Sequence, residues 1–173
     1  VAGYTLIDPV SVMITHLSEV IKRHCHEILT RSDVKTMVEN MKKTNVAVVD
    51  DLVPNVISHG YLQKVLAMLL KEGVPIRDLE TILECLGDHT ANLKDIEVVV
   101  EYVRQALKRT ITRRFAEGGS LRVITVDPRL EDMLLSSVKK NGSGGSFISM
   151  EPEIVQRVIA KTNEEIDKVK DVL

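Results

Sequence analysis

The stretch "LQKVLAMLLKEGVPIRDLETILECLGD", Leu62 to Asp88, decides the fold. Its apolar residues recur every three or four positions on both sides of a break at residues 73–75, which is the spacing of amphipathic helices. Gly73 is placed to end the first helix, because glycine readily adopts the left-handed conformation found after helix C-termini. We expect Gly87 to end the second helix in the same way. Two helices that each bury one face indicate a helical bundle.

The same spacing extends the bundle in both directions. Asp8 as N-cap and Pro9 in the first turn open a long helix, and Ser58 can cap the helix that contains Leu62. The further predicted helices are Pro9 to about Leu29, Asp33 to about Lys43, a short segment ended by Pro54, and Asp95 to about Arg109.

The pattern changes at Thr110. "TITRRFA" and "LRVITV" surround "EGGS" and predict a β-hairpin, and "DPRLEDMLLSSVKK" predicts a helix capped by Asp127. "NGSGGS" is interpreted as a loop into a third strand, "FISM", before a last helix that opens at Pro152. The expected class is therefore mainly α, α+β, with a helical bundle followed by a small αβ subdomain. Because three strands with two helices call for more sheet, we expect that subdomain to be incomplete.

Composition argues against several function classes. Hydrophobic residues make up 44% of the chain but aromatic residues only 3%, with no Trp, so we expect an aliphatic core and no base-stacking surface. The net charge of -2 gives no overall footprint for nucleic acid, and "KRTITRR" (108–114) is interpreted as a basic helix end. No apolar run reaches the roughly 20 residues of a membrane span. Two cysteines without CxxC spacing, and no visible secretory leader, favour a reducing compartment.

The stretch "RHCHE" (Arg23–Glu27) gathers side chains that could bind zinc or carry out acid-base chemistry. On a helix turning about 100° per residue, His24 and His26 point in nearly opposite directions, so they are not expected to share an ion. We predict that His24 and Cys25 are partly buried packing residues and that His26 is solvated. No phosphate-binding loop or G-x-S-x-G nucleophile is visible, so no cofactor and no catalysis are expected. A zinc-dependent enzyme is the less favoured alternative.

Four charged residues are predicted to lie on helix exteriors of the bundle. They are Arg77, Asp78, Glu84 and Arg104. Charged positions on the outer face of a helix are most simply solvated. The sharper interpretation is that they contact a neighbouring subunit or another partner.

Three longer strings together resemble one family. They are "GYTLIDPVSVMITHLSEVIKRHCHEIL" (3–29), "VDDLVPNVISHGYLQKVLAMLLKEGVPIRDLETILECLGD" (49–88) and "EYVRQALKRTIT" (101–112). In this order they are similar to the cytoplasmic region of the export-gate family of flagellar type III secretion. The resemblance implies a part of an integral membrane protein, located at the cytoplasmic face of the bacterial inner membrane. It implies a ring of nine copies that receives export chaperones with their substrates and works beside the ATPase complex.

The resemblance also implies a division of the chain. Residues 1–30 would be a strand end and a long helix belonging to upstream subdomains, residues 31–109 a helical subdomain, and residues 110–173 a small α+β subdomain incomplete at its C-terminus. In the family, a threonine in the "THL" stretch contributes to the chaperone-docking site, which matches Thr15 here. The other main docking residues lie upstream and have no counterpart in this chain. A free-standing helical adaptor is the main alternative to an export-gate component.

Overall fold

The computed structural model describes residues 8–90, 95–116, 118–121, 123–140 and 146–170. The chain divides into two compact units, Val1–Phe115 and Ala116–Leu173. The first unit contains α1 (Pro9–Ile28), α2 (Arg31–Lys42), α3 (Val46–Leu52), α4 (His59–Lys71), α5 (Leu79–Thr90), α6 (Ile96–Ala106) and α7 (Lys108–Phe115). The second contains α8 (Pro128–Ser136), β1 (Val138–Lys140), β2 (Ser146–Ile148) and α9 (Pro152–Lys170). This confirms the predicted mainly α, α+β class. Within these ranges no helix is both long and apolar enough to cross a lipid bilayer.

The core of the first unit is built from aliphatic side chains, as predicted. Helix α6 packs against both α4 and α5, and α3 packs against α5. Among the described residues no polar or charged side chain is fully buried, and each buried leucine or isoleucine contributes about 1.5–3 kcal/mol. The buried side chains of the three central helices are Leu62, Val65, Leu66, Leu69, Leu79, Ile82, Leu83, Cys85, Leu86, Val99, Val100 and Val103.

Side-chain caps fix where the helices begin. The Asp8 carboxylate accepts from the Ser11 amide at 3.0 Å, and the Ser58 hydroxyl accepts from the Tyr61 amide at 3.1 Å, both as predicted. The predicted start of α2 at Asp33 is wrong by two residues. Thr30 is the cap, and Asp33 completes a capping box by accepting from the Thr30 amide at 2.9 Å.

Gly87 does not end α5, which continues to Thr90, so the prediction that this glycine is a C-cap is wrong. Its role is steric. A Cβ atom on Gly87 would lie 2.6 Å from Leu52 Cδ2, far inside van der Waals contact, so the missing side chain is what lets α3 pack closely on α5. Gly73 has φ 72° and does terminate α4.

The predicted hairpin around "EGGS" is wrong. Lys108–Phe115 is a helix, α7, separated from α6 by Leu107, and described residues 118–121 and 123–127 form no strand apart from an isolated bridge at Ser120. The Ile111 amide donates to the Leu107 carbonyl at 3.0 Å, and the Ile111 side chain packs against the bundle core. Burying this one apolar residue while leaving the cations outside favours a helix, whatever the local β-propensity.

In the second unit, α8 begins at Pro128 behind its cap Asp127, as predicted, but it ends at Ser136 rather than Lys140. The Ser136 and Ser137 hydroxyls both donate to the Met133 carbonyl, which competes with continued helix. Val138–Lys140 then forms β1, antiparallel to β2 with Val138 opposite Ile148. The predicted strand in "FISM" is thus confirmed in part. The strand end expected before α1 and most of the "NGSGGS" loop lie outside the described residues.

Candidate interaction surfaces

The two histidines of "RHCHE" have the opposite exposure to the one predicted. The His24 side chain is 48% exposed, whereas that of His26 is 23% exposed; Cys25 is half-buried, as expected. The prediction assumed that the apolar stripe of α1 is its buried side. Instead α1 packs on α4, and the Gln63 amide donates to the Leu29 carbonyl at 2.7 Å, which places the end of α1 against α4.

Glu27 brings the two imidazoles together. His24 Nδ1 lies 3.0 Å and His26 Nε2 3.5 Å from the same oxygen, Glu27 Oε1. Within the described ranges no group of three or more His, Cys, Asp or Glu residues could hold a metal ion. The hydrogen bond and charge of His24 hold the Glu27 pKa below its ordinary value.

This pKa gives a direct test of the arrangement. We expect His24→Ala to raise the Glu27 pKa toward the ordinary glutamate value, measured by a carboxyl-carbon NMR titration. Because the folded-state pKa of Glu27 is depressed, the interaction stabilises the fold above the unfolded-state pKa and is lost as the pH falls through the folded-state value. The Asp33 pKa, lowered by Thr30, is the internal control and should not move. An unchanged Glu27 pKa would contradict the His24–Glu27 bond.

The surroundings of Cys85 do not favour a catalytic role for its thiol. Burial raises the pKa of this thiol, with a smaller contribution from Asp88, so the reactive thiolate is disfavoured. His89 Nδ1 lies 3.9 Å from Cys85 Sγ, but it donates its proton to the Cys85 carbonyl at 2.9 Å and cannot act there as a base. The His89 ring stacks on Tyr102 with a centroid distance of 4.2 Å, which is a packing role.

The apolar face of α1 is exposed along the helix. Its seven large side chains are between 38% and 71% exposed, and they are Val10, Met13, Ile14, Leu17, Val20, Ile21 and Ile28. Thr15 lies on the same helix and is exposed, and its hydroxyl donates to the Ser11 carbonyl at 2.8 Å. A continuous exposed apolar helix face is typical of a surface that another protein segment covers.

The four predicted interface residues divide into two pairs. Asp78 accepts from the Thr81 amide at 3.3 Å at the start of α5, and Arg104 forms ion pairs with Glu72 and Glu101. These two side chains are thus already engaged within the chain. Arg77 and Glu84 are exposed, and neither has a hydrogen bond or ion pair in the part of the chain that the structure describes.

Comparison with known proteins identifies the family. The sequence profile of the FHIPEP family matches residues 1–172. The chain belongs to this family. The chain is 39% identical over 168 residues to the flagellar biosynthesis protein FlhA of Bacillus subtilis, covering 96% of the chain and 25% of that relative. It is 35% identical over 169 residues to that of Escherichia coli, covering 97% and 24%. It thus spans about a quarter of the length of these FlhA proteins.

The fold also matches solved structures of type III secretion proteins. The Chlamydia pneumoniae CdsV protein in complex with CdsO superposes with a TM-score of 0.82 at 29% identity, covering 94% of this chain and 48% of that one. The nonameric SctV-C of EPEC superposes with a TM-score of 0.73 at 26% identity, covering 86% and 45%. These matches confirm the sequence resemblance to the export-gate family.

Two surfaces of this FHIPEP chain escaped sequence analysis. An apolar cleft of about 500 Å³ lies between α8, α9 and residues 124–127, lined by Leu130, Met133, Ile154 and Val158 among others. Assigning "LRVITV" to a hairpin concealed it, because Ile124, Thr125 and Val126 of that stretch line the cleft instead. The second surface is the basic outer side of α7, which had been divided between a helix end and a strand. Testing "KRTITRRF" against a helical period would have revealed it.

Proposed function

We propose that this chain is part of the cytoplasmic, ring-forming and substrate-docking region of the flagellar protein export gate. Membership of the FHIPEP family and the similarity to FlhA proteins support this role. The observation that carries it is the exposed apolar face of α1, which lacks a partner among the described residues and therefore fits a helix that packs against upstream subdomains and contributes, beside them, to a shared docking site. No arrangement of titratable groups in those residues supports a catalytic alternative, so we propose a non-enzymatic role without a cofactor.

The proposed domain organisation follows from the same face. In this proposal residues 1–30 belong with upstream subdomains, whose surface covers the apolar side of α1 in the longer protein. Residues 31–109 form the helical subdomain and residues 110–173 the small α+β subdomain. The relatives, about four times as long as this chain, have ample additional sequence for such a covering surface.

The proposed partners are export chaperones carrying their substrates, other export-apparatus components including the ATPase complex, and further copies of the chain in a nine-membered ring. A relative captured with CdsO and another that is nonameric support the second and third of these. We propose that Thr15 contributes to chaperone docking, because it is exposed on α1 beside the apolar face. The proposed location is the cytoplasmic face of the bacterial inner membrane.

Calorimetric titration with a flagellar chaperone bound to its filament-type substrate tests the docking role. We expect the complete cytoplasmic region to bind and this chain alone to bind far more weakly, because the other docking residues are proposed to lie upstream. In the complete region, Thr15→Ala should raise the Kd about tenfold, which corresponds to about 1.4 kcal/mol.

Thr36→Ala is the matched control for this titration. Thr36 is exposed on α2, and its hydroxyl donates to the Ser32 carbonyl at 3.0 Å, the same i-4 bond that Thr15 makes. It should leave the Kd unchanged. Equal effects of the two substitutions would argue against Thr15 as a docking residue. Equal binding by the short chain and the complete region would contradict the upstream site and favour a free-standing adaptor.

A further inference from the structure

The outer side of α7 gathers three cations that have no partner in the described part of the chain. Lys108, Arg109 and Arg113, together with Thr112, line a shallow depression of about 470 Å³. All four side chains are exposed, and within the described ranges no carboxylate forms an ion pair with the three cations. We refer to these four residues as the basic face. The other side of α7 carries Ile111, which packs against the bundle core.

The neighbouring arginines have partners within the chain. Arg104 on α6 forms ion pairs with Glu72 and Glu101. The Arg114 guanidinium lies 6.0 Å from the centre of the Phe115 ring, within reach of a cation-π contact. The two arginines of the basic face are therefore the ones in residues 104–114 that lack a partner within the described ranges.

The hydroxyl of the basic face is also available to a ligand. Elsewhere in the chain, the hydroxyls of Thr15, Thr36 and Thr162 each donate to the carbonyl four residues earlier. In the part of the chain that the structure describes, the Thr112 hydroxyl makes no such bond. The depression is thus lined by two guanidinium groups, one ammonium group and one hydroxyl, all of which can donate hydrogen bonds. Such a set of donors matches the oxygens of an anion.

The placement of these cations is unfavourable for α7 itself. Lys108 and Arg109 occupy the first turn, at the positive end of the helix dipole, and no acidic residue offsets them there. Arg109 and Arg113 lie four residues apart, where like charges on a helix repel each other. Carboxylates supplied from outside the chain would relieve both effects.

We propose that the basic face binds an acidic helical segment of another protein. Arg109 and Arg113 stand about 6 Å apart along the axis of α7, which is also the spacing of two carboxylates four residues apart on a second helix. Each guanidinium can then bind one carboxylate through two parallel hydrogen bonds. Lys108 and Thr112 also lie four residues apart and supply a second row of donors beside the arginines.

An acidic protein segment fits this face better than a nucleic acid or a lipid surface. None of the four residues is aromatic, so a base has nothing to stack on. The chain has a net charge of -2, which repels an extended polyanion. Lipid headgroups present a flat array of charge, whereas these residues line a depression. The inference concerns a different helix from α1 and does not depend on the docking role proposed there.

Fluorescence anisotropy with a labelled synthetic peptide tests this inference on the whole chain. The probe is a peptide of about 20 residues, long enough to be helical alone, with three glutamates spaced four residues apart among alanine and glutamine. We expect it to bind the wild-type chain at low salt. It should bind at least about tenfold more weakly at about 0.5 M salt, because exposed charges are then strongly screened. A peptide of the same composition with its glutamates five residues apart places them on different helix faces and should bind at least about fivefold more weakly.

Arg109→Gln with Arg113→Gln should raise the Kd of the first peptide at least about tenfold. The thermal midpoint of this double variant should stay the same or rise, because the variant removes charges that α7 does not favour. Arg109→Lys with Arg113→Lys should raise the Kd about threefold, because lysine keeps the charge but cannot form two parallel hydrogen bonds. Arg23→Gln with Arg129→Gln is the matched control. It removes two exposed guanidinium groups outside α7 and should leave the Kd unchanged.

Four results would overturn the proposal. An equal loss of binding in the control pair would show unspecific charge attraction, and equal binding of the two peptides would contradict recognition of a helical row. Absence of peptide binding, with binding of single-stranded DNA or of phosphatidylglycerol vesicles, would assign the basic face to that partner instead. Self-association of the chain in place of peptide binding, abolished by the Arg109 and Arg113 double variant, would assign it to a second copy. None of these results affects the chaperone titration of the complete region.

Discussion

Replacing Leu66 with alanine is expected to lower the free energy of unfolding by about 2–5 kcal/mol, enough to unfold a large fraction of a marginal domain. Leu66 is fully buried on α4, in the core shared with α6. Its removal exposes no polar group but leaves a cavity that the surrounding leucines and valines can fill only partly. Urea unfolding followed by circular dichroism at 222 nm measures the change, with the slope of the transition showing whether unfolding stays cooperative.

Leu17→Ala is the matched control for this substitution. It deletes the same atoms on α1, but Leu17 is 59% exposed. Its effect should stay within about 0.5 kcal/mol in this chain, as is usual for surface positions. A loss of stability from Leu17→Ala as large as that from Leu66→Ala would show that the apolar face of α1 is covered in solution. A small loss of stability from Leu66→Ala would contradict the burial of Leu66 in the core.

Replacing Gly87 with leucine is expected to cost about 1–3 kcal/mol by overpacking the contact between α3 and α5. Helix propensity alone would predict a gain of up to about 1 kcal/mol, because leucine is a better helix former than glycine. The sign of the change in unfolding free energy therefore shows which effect is larger, the clash with Leu52 or the gain in helix propensity. The substituted side chain would project into Leu52, whose side chain packs against the core.

A double-mutant cycle with Leu52→Ala isolates this contact. Combined with Leu52→Ala, the Gly87→Leu substitution should cost less than it does alone, with a coupling energy of about 1–2 kcal/mol. Gly60→Leu provides the comparison at the start of α4, since a Cβ there would meet only the flexible end of the Arg31 side chain at 3.3 Å. Strict additivity of Leu52→Ala and Gly87→Leu would contradict the close approach of α3 and α5.

Periodicity and capping chemistry predicted most of the bundle. The apolar spacing in α4 and α5 survives because those helices bury a single face, and Asp8, Ser58 and Asp127 cap helices because their side chains satisfy amides that no carbonyl reaches. Thr15 and the exposed charges were named from resemblance and helix faces. Their roles in docking and ring formation stay predictions.

The wrong predictions share a cause in tertiary packing. Glycine at position 87 serves the approach of another helix, a demand that no neighbouring residue reveals. The β-branched residues of α7 form a helix because Ile111 reaches the core. The exposure of His24 and His26 was inverted because α1 uses a different side against α4 than its apolar stripe suggests. Each error concerns a contact between elements distant in sequence.

Because the chain contains no tryptophan, it has no tryptophan fluorescence of its own. A single indole introduced at Tyr102 would be the only one in the molecule, stacked where the tyrosine now meets the imidazole of His89. Contact with that imidazole would quench its emission. Separation of α5 from α6 would then appear as an increase in the fluorescence of this single tryptophan.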